Sequence, residues 1–190
     1  MDEARAPLAY ALGDGGLLPF LGHFRVEVRG PASVLRVAGR RAAGASVVDA
    51  HQAAAAIERA LTCVVDRAVD AGNRHALLRA LWQVLTPGDT LKEEIGDLGL
   101  VAIAADREGV SLSGVGLVGA WYQLEGRAPR PLVPPEHPLL QSPLGAPSSL
   151  PGAMTLGVLP ELVVVEVKHP TAPARGLPAG DLRAACGVRA

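Results

Sequence analysis

The chain has 190 residues, with 18 basic and 19 acidic side chains and a formal net charge of −1. Like charges never cluster beyond pairs such as Arg40-Arg41, so the sequence lacks the basic patch of a nucleic-acid-binding or membrane-surface protein. Its apolar runs fall far short of the roughly 20 residues that a spanning helix needs. Asp2 and Glu3 stand where a signal peptide would be basic. We therefore expect one cytoplasmic domain over residues 1–190, without nucleic-acid or membrane partners.

The first half of the chain combines strand and helix patterns. After a segment at 1–22 that is predicted to be irregular, apolar and charged residues alternate over His23–Arg29, which is typical of a half-buried strand. Ser33–Ala38 is its predicted hairpin partner. Apolar residues then recur at helical spacing over 47–71. A second helix is predicted at Asn73–Leu85, with five buried side chains: Leu77, Leu78, Leu81, Trp82 and Leu85.

A hairpin is predicted in the middle of the sequence. Leu98–Ala104 forms its first strand, Asp106–Gly109 its turn and Val110–Leu124 its second strand. Eight prolines follow between residues 128 and 151. Because proline cannot donate a ladder hydrogen bond, this stretch is predicted to be a proline-rich flap. Leu162–Lys168 is typical of a buried strand.

Patterns of other chemistries are missing from the sequence. The five histidines show no HExxH or HxH spacing, and no CxxC occurs, which argues against a zinc site. Gly114–Gly119 spells G-x-G-x-x-G, but a strand and a turn follow it instead of the helix that would hold a pyrophosphate. Cys63 and Cys186 are expected to be reduced core thiols. We therefore expect no cofactor.

The central hairpin resembles a known family. Gly114–Trp121 (GVGLVGAW), followed by Glu125–Arg127, is similar to the strand of type 2C, metal-dependent (PPM) protein Ser/Thr phosphatases that runs N-V-G-D-S-R-A-Y and continues to D-G-R. Leu132–Leu139 stands in place of the family's L-T-x-D-H-S-L. Gly152–Glu161 resembles x-L-T-R-A-L-G-x-x-P-E, and Leu177–Arg189 resembles L-x-P-G-D-x-L-L-L-C-S-D-G. The resemblance implies an α+β fold in which two packed antiparallel β-sheets are flanked by helices.

The same resemblance implies that the metal ligands are missing. In the family, aspartates hold two divalent ions that activate a water and neutralise the phosphate it attacks. Leu117 and Val188 stand in place of two of these aspartates. Ala38 or Gly39 stands in place of a third, within a segment similar to V-A-D-G-x-G-x-A-A-G. Since none of these side chains offers an oxygen ligand, the resemblance implies an inactive, pseudophosphatase-like domain.

Three functions are compatible with the sequence. We favour a regulatory scaffold that binds a protein partner, which is phosphorylated or not, or that associates with copies of itself. An active Mn²⁺- or Mg²⁺-dependent phosphatase would need ligands from other acids, such as Asp14, Glu27, Asp49 or Asp181. The candidates for a remnant site are Asp14, His137 and Asp181. A structural subunit of a larger assembly would show an exposed apolar patch, at Leu17–Phe20 or in the flap.

Overall fold

The computed structural model describes residues 8–11, 24–29, 33–41, 73–86, 98–142 and 150–167, together with positions 52, 55, 56, 58, 59, 62 and 182. Its strands are β1 Leu8–Ala11, β2 Phe24–Arg29, β3 Ser33–Arg41, β4 Leu98–Asp106, β5 Gly109–Val115, β6 Leu117–Gln123, β7 Arg130–Pro131, β8 Ala153–Leu156 and β9 Leu162–Val167. Its helices are α1 Arg74–Leu85 and a short 3-10 helix at Pro138–Gln141. The six single positions from 52 to 62 are helical, in agreement with the helix predicted there.

The strands form two antiparallel sheets. The five-stranded sheet has the order β2-β3-β4-β5-β8, and the four-stranded sheet has the order β1-β9-β6-β7. The predicted hairpin of β2 and β3 is confirmed, with Phe24 opposite Gly39. The predicted turn between β4 and β5 is confirmed as well. Leu8–Ala11 lies within the segment predicted to be irregular, yet it pairs with β9 as β1.

One apolar cluster fills the space between the two sheets. Successive side chains of a strand point to opposite faces, so alternate residues of each strand reach this space. The five-stranded sheet contributes Val101, Ile103, Ala105, Val110 and Leu112, and the four-stranded sheet contributes Leu117, Ala120, Val163 and Val165. The predicted fold class, two packed antiparallel sheets in an α+β protein, is confirmed.

Helix α1 covers the other face of the five-stranded sheet. Asn73 is its N-cap, and the Asn73 side chain accepts a hydrogen bond from the Ala76 N–H at 3.0 Å. The helix packs against β3, β4 and β5. All five side chains predicted to be buried are buried: Leu77, Leu78, Leu81, Trp82 and Leu85. In the described ranges no helix combines the length and the apolar run that crossing a membrane requires.

The prediction of one long strand over Val110–Leu124 is wrong. Gly116 separates β5 from β6 with a φ of 68°, in the left-handed region that side chains with a Cβ disfavour. Its N–H donates to Ser142 Oγ at 3.0 Å. Before this glycine the chain pairs within the five-stranded sheet, and after it the chain pairs with β9 in the four-stranded sheet. The chain therefore changes sheet directly before Leu117.

The prediction of a flap needs correction over residues 128–142. Leu132, Val133 and Leu139 are buried and belong to the cluster between the sheets. The Leu132 N–H donates to the Ala120 carbonyl at 2.8 Å. Pro131 lies at the sheet edge, opposite Trp121, where a missing donor is tolerated. This part of the proline-rich stretch is integral to the core, whereas residues 143–149 lie outside the described residues.

Candidate functional site

Leu117 lies where the chain passes from one sheet to the other, in the place that the resemblance assigns to a metal-binding aspartate. Its side chain is 0% exposed and belongs to the apolar cluster. A Cβ added at Gly114 would lie only 3.1 Å from Leu117 Cδ1, so the leucine side chain packs directly against this glycine. An ionised carboxylate here would lose its hydration without gaining a partner from the apolar cluster, at a cost of several kcal/mol.

The other positions assigned to the metal site are described less fully. Ala38 and Gly39 lie in β3, in the ladder between β2 and β4. Glu27, one of the alternative acids, lies in β2 opposite Arg36. Four further positions lie outside the described residues: Asp14, Asp49, Asp181 and Val188.

His137, a candidate for a remnant site, holds the start of the short 3-10 helix. Its Nδ1 accepts a hydrogen bond from the Leu139 N–H at 3.2 Å. Its own backbone N–H donates to the Pro134 carbonyl at 3.0 Å. The imidazole is half-buried and serves the local backbone, which agrees with a structural role.

The described residues do not fit the two-ion site that the resemblance implies. Mg²⁺ and Mn²⁺ prefer carboxylate, carbonyl and water oxygens. Across the described ranges, no three His, Cys, Asp or Glu side chains gather closely enough to hold a metal ion. At Leu117, where the resemblance places an oxygen ligand, an aliphatic side chain fills the core.

A buried ion pair that the sequence did not predict joins α1 to the turn between β4 and β5. Arg74 Nη1 lies 2.5 Å from Asp106 Oδ1, and the two side chains are 7% and 6% exposed. The Arg74 backbone N–H donates to Asp106 Oδ2 at 3.2 Å. The Glu108 N–H donates to Asp106 Oδ1 at 2.9 Å. Both carboxylate oxygens are thereby hydrogen-bonded.

The pKa of Asp106 reflects this environment. Burial acts to raise it, but the backbone N–H groups of Arg74 and Glu108, and then the Arg74 guanidinium, outweigh burial and hold the pKa below its ordinary value. The carboxylate is therefore ionised at neutral pH, and the pair is a charged one.

Two hydroxyls extend the ion pair across the sheet. Arg74 Nε donates to Ser111 Oγ at 3.2 Å, and Ser111 Oγ lies 3.0 Å from Thr155 Oγ1. The network thus connects α1, β5 and β8. Because its buried members are bonded to one another, it ties these elements together and supports the helix on the sheet.

A groove lies between α1 and the β8 edge of the five-stranded sheet. It contains a cavity of about 200 Å³. We name it the α1–β8 groove and define it by the residues lining that cavity: His75, Leu78, Arg79, Trp82, Ser113, Leu150, Pro151 and Ala153. The four helical residues follow the spacing of one helix face. Leu78 and Trp82 were predicted as core residues, and the sequence carried no signal that they border a cavity.

No family model matches the chain, and no curated protein matches it significantly. Among solved structures, it is similar to the SiaA-PP2C domain of Pseudomonas aeruginosa, with 14% identity, a TM-score of 0.48 and coverage of 84% of this chain. It is similar to RsbX in complex with magnesium (11% identity, TM-score 0.48, 93% of this chain and 76% of that chain). It is also similar to the Mycobacterium tuberculosis serine/threonine phosphatase PstP/Ppp (12%, 0.43, 84% and 77%).

The chain spans 58% of the SiaA-PP2C chain, which is less than two thirds of its length. Two of these structures are described as a PP2C domain and as a serine/threonine phosphatase. At these identities the similarity concerns the fold alone.

Proposed function

We propose that the protein is a catalytically inactive, phosphatase-like domain that binds a protein partner. The observation that carries this proposal is the complete burial of Leu117 where the resemblance assigns a metal-binding aspartate. An aliphatic side chain surrounded by apolar neighbours gives a divalent ion no oxygen ligand. We further propose that residues 1–190 form one domain.

Leu117 supports the stability of the fold in a way that an aspartate would not. Burying a leucine side chain contributes about 1.5–3 kcal/mol relative to leaving it exposed. An unpaired buried carboxylate would instead destabilise the core by several kcal/mol. A β-sandwich that is stabilised in this way keeps a folded surface that a partner can bind. A fold can serve binding as well as catalysis.

Exposed apolar side chains support a binding role. Leu150, Val158 and Leu159 are 53%, 42% and 41% exposed, and they flank β8 on its two sides in the sequence. Large apolar groups exposed in one region are typical of protein contact surfaces. The predicted patch at Leu17–Phe20 lies outside the described residues.

Two measurements on the full chain test this function. Calorimetric titration with MnCl₂ and MgCl₂ measures metal binding, and phosphate release from a phosphothreonine peptide and from p-nitrophenyl phosphate measures turnover. We expect neither tight binding nor turnover, with an active type 2C phosphatase as the positive control. Tight metal binding together with turnover that EDTA abolishes would overturn the proposal and support the alternative of non-standard ligands.

The same exposed side chains favour a second candidate, a structural subunit of a larger assembly. Light scattering of the purified chain over a range of concentrations distinguishes the two. A monomer supports the binding module, whereas a stable oligomer supports the subunit.

A further inference from the structure

Strand β8 forms one edge of the five-stranded sheet. It pairs with β5 over Val110–Ser113, and in the described part of the chain no strand pairs with its other side. Its sequence, Ala153–Leu156, contains neither a charge nor a proline. Charges and prolines are two of the devices by which edge strands commonly block further pairing, and β8, with four residues, has only its short length. Among the described residues, the outer side of β8 therefore offers a short stretch of backbone to which another strand can add.

Helix α1 packs on β3, β4 and β5, and the α1–β8 groove lies between it and β8, so side chains of a strand added to β8 can reach the groove. Leu78 and Trp82 form the apolar side of the groove on the helix, and Leu150, Pro151 and Ala153 form it on the sheet. A cavity of about 200 Å³ accommodates one large apolar side chain. Strand addition beside a pocket of this kind is a recurring mode of peptide recognition, in which the main chain gives affinity and the pocket gives specificity.

The polar groups of the groove favour a negatively charged neighbour of that side chain. His75 and Arg79 lie one helical turn apart, and both are exposed. Among the described residues, no carboxylate lies within ion-pair distance of Arg79. A cation that is exposed and lacks such a partner is free to pair with an incoming acidic group.

We propose that the α1–β8 groove binds an extended, acidic segment of a partner protein. The segment adds as a strand to β8, places an apolar side chain in the cavity and directs an adjacent Asp or Glu at Arg79. If the protein works by binding a partner, as proposed above, this groove is the surface that it uses. Nothing in the assignment depends on the metal site.

Panning a phage-displayed library of random peptides on the full-length chain tests the proposal. We expect the selected sequences to share an apolar residue beside Asp or Glu. In fluorescence anisotropy with a selected peptide, Arg79→Glu weakens binding about tenfold or more, which corresponds to ~1.4 kcal/mol. Arg127→Glu makes the same change in charge at an exposed position after β6, and it leaves affinity within about twofold.

Two further measurements locate the peptide. Ala153→Phe, a change at an exposed position lining the cavity, abolishes binding while the thermal midpoint of the chain is retained. Hydrogen exchange shows the amides of Ala153–Leu156 becoming protected when the peptide binds. If selected peptides bind Arg79→Glu and Ala153→Phe as tightly as the parent, or leave the β8 amides unprotected, they bind elsewhere and the proposal is overturned.

Two other occupants of the α1–β8 groove would give different results in these measurements. If the purified chain forms a dimer whose β8 amides are protected without peptide, a second copy fills the groove and the proposal is wrong. If replacing the acidic residue of the peptide by phosphoserine tightens binding more than about tenfold, phosphate rather than carboxylate is the preferred ligand, and the acidic assignment fails.

The two proposals fail separately. Metal-dependent turnover with peptide binding intact overturns only the proposed inactivity. An inactive chain from which no peptide is selected overturns only the groove.

Discussion

Along β5, the two faces of the five-stranded sheet are both fully buried but differ in chemistry. On β5, Val110 and Leu112 face the four-stranded sheet, and Ser111 and Ser113 face α1; all four are 0% exposed. The first face packs into the apolar cluster, to which Leu117 of the four-stranded sheet also belongs. The second, beneath the apolar side of α1, also holds a charged pair and its hydroxyl partners. The difference shows that a carboxylate is stable in this interior where hydrogen-bond donors surround it, and the space around Leu117 offers none from the apolar cluster.

Placing a carboxylate on the apolar face is the strongest test of this difference. Leu117→Asp should reduce the free energy of unfolding by about 4–5 kcal/mol, because it removes buried apolar area and adds an unpaired charge. Urea denaturation measures the loss, and Leu117→Met, which conserves volume, should cost less than about 1.5 kcal/mol. A Leu117→Asp variant that keeps its stability, or regains it with Mn²⁺, would show that the site still accommodates a metal.

Removing the carboxylate from the polar face should have the next largest effect. Asp106→Ala leaves the buried Arg74 guanidinium with only the exposed Glu108 carboxylate, 3.9 Å away, and should destabilise the fold by about 3 kcal/mol. The double variant Arg74→Met/Asp106→Ala should lose less, since no charge remains buried. Arg107→Ala, at an exposed neighbouring position, should stay within about 0.5 kcal/mol. A double variant as unstable as Asp106→Ala would mean that packing, rather than charge, decides the loss.

Removing the Ser111 hydroxyl tests the part of the hydrogen-bond network that lies beyond the Arg74–Asp106 pair. Ser111→Ala removes the acceptor of Arg74 Nε and should cost about 1.5 kcal/mol, since hydrogen bonds to charged groups are the stronger ones. Ser113→Ala removes only a neutral bond to the Gly152 carbonyl and should cost less, about 1 kcal/mol. Chemical denaturation of both variants measures the difference. Equal losses would indicate that Ser111 contributes no charge-assisted bond.

The pH dependence of the free energy of unfolding should show the smallest effect, and it reports on Asp106 alone. The pKa of Asp106 is lower in the folded protein than in the unfolded chain, where it is about 3.9. Its stabilisation is therefore complete above the unfolded pKa and is lost as pH falls through the folded pKa. Comparing denaturation curves of the parent and Asp106→Asn from neutral to acid pH isolates this contribution. A parent curve parallel to that of the variant would contradict the lowered pKa.

The helix and the strands whose apolar residues repeat regularly could be predicted from the sequence. Helix α1 and its five buried side chains follow from the 3.6-residue repeat, and β2, β3 and β9 follow from their apolar patterns. The division at Gly116 could not be predicted, because a local pattern does not reveal which sheet a strand joins. The Arg74–Asp106 pair spans 32 residues, and both residue types are ordinarily exposed.

The candidate site was predicted in part. The family resemblance named Leu117, but only the structure shows that its side chain fills the space between the sheets. His137 was named as a candidate, and its bond to the Leu139 N–H was not foreseeable from the sequence. The α1–β8 groove depends on which strand forms the sheet edge, and this is a long-range property that no local pattern reports.

The left-handed glycine at position 116 has a mechanical consequence. One uninterrupted stretch of backbone belongs to both layers, and the Ser142 hydroxyl clamps it at the crossing. Sliding one sheet over the other would strain this shared backbone. We therefore expect the two sheets to resist shear and to unfold in a single cooperative step. A load applied by a partner at the β8 edge would accordingly reach the opposite layer along the backbone both at this crossing and through residues 157–161, which connect β8 to β9.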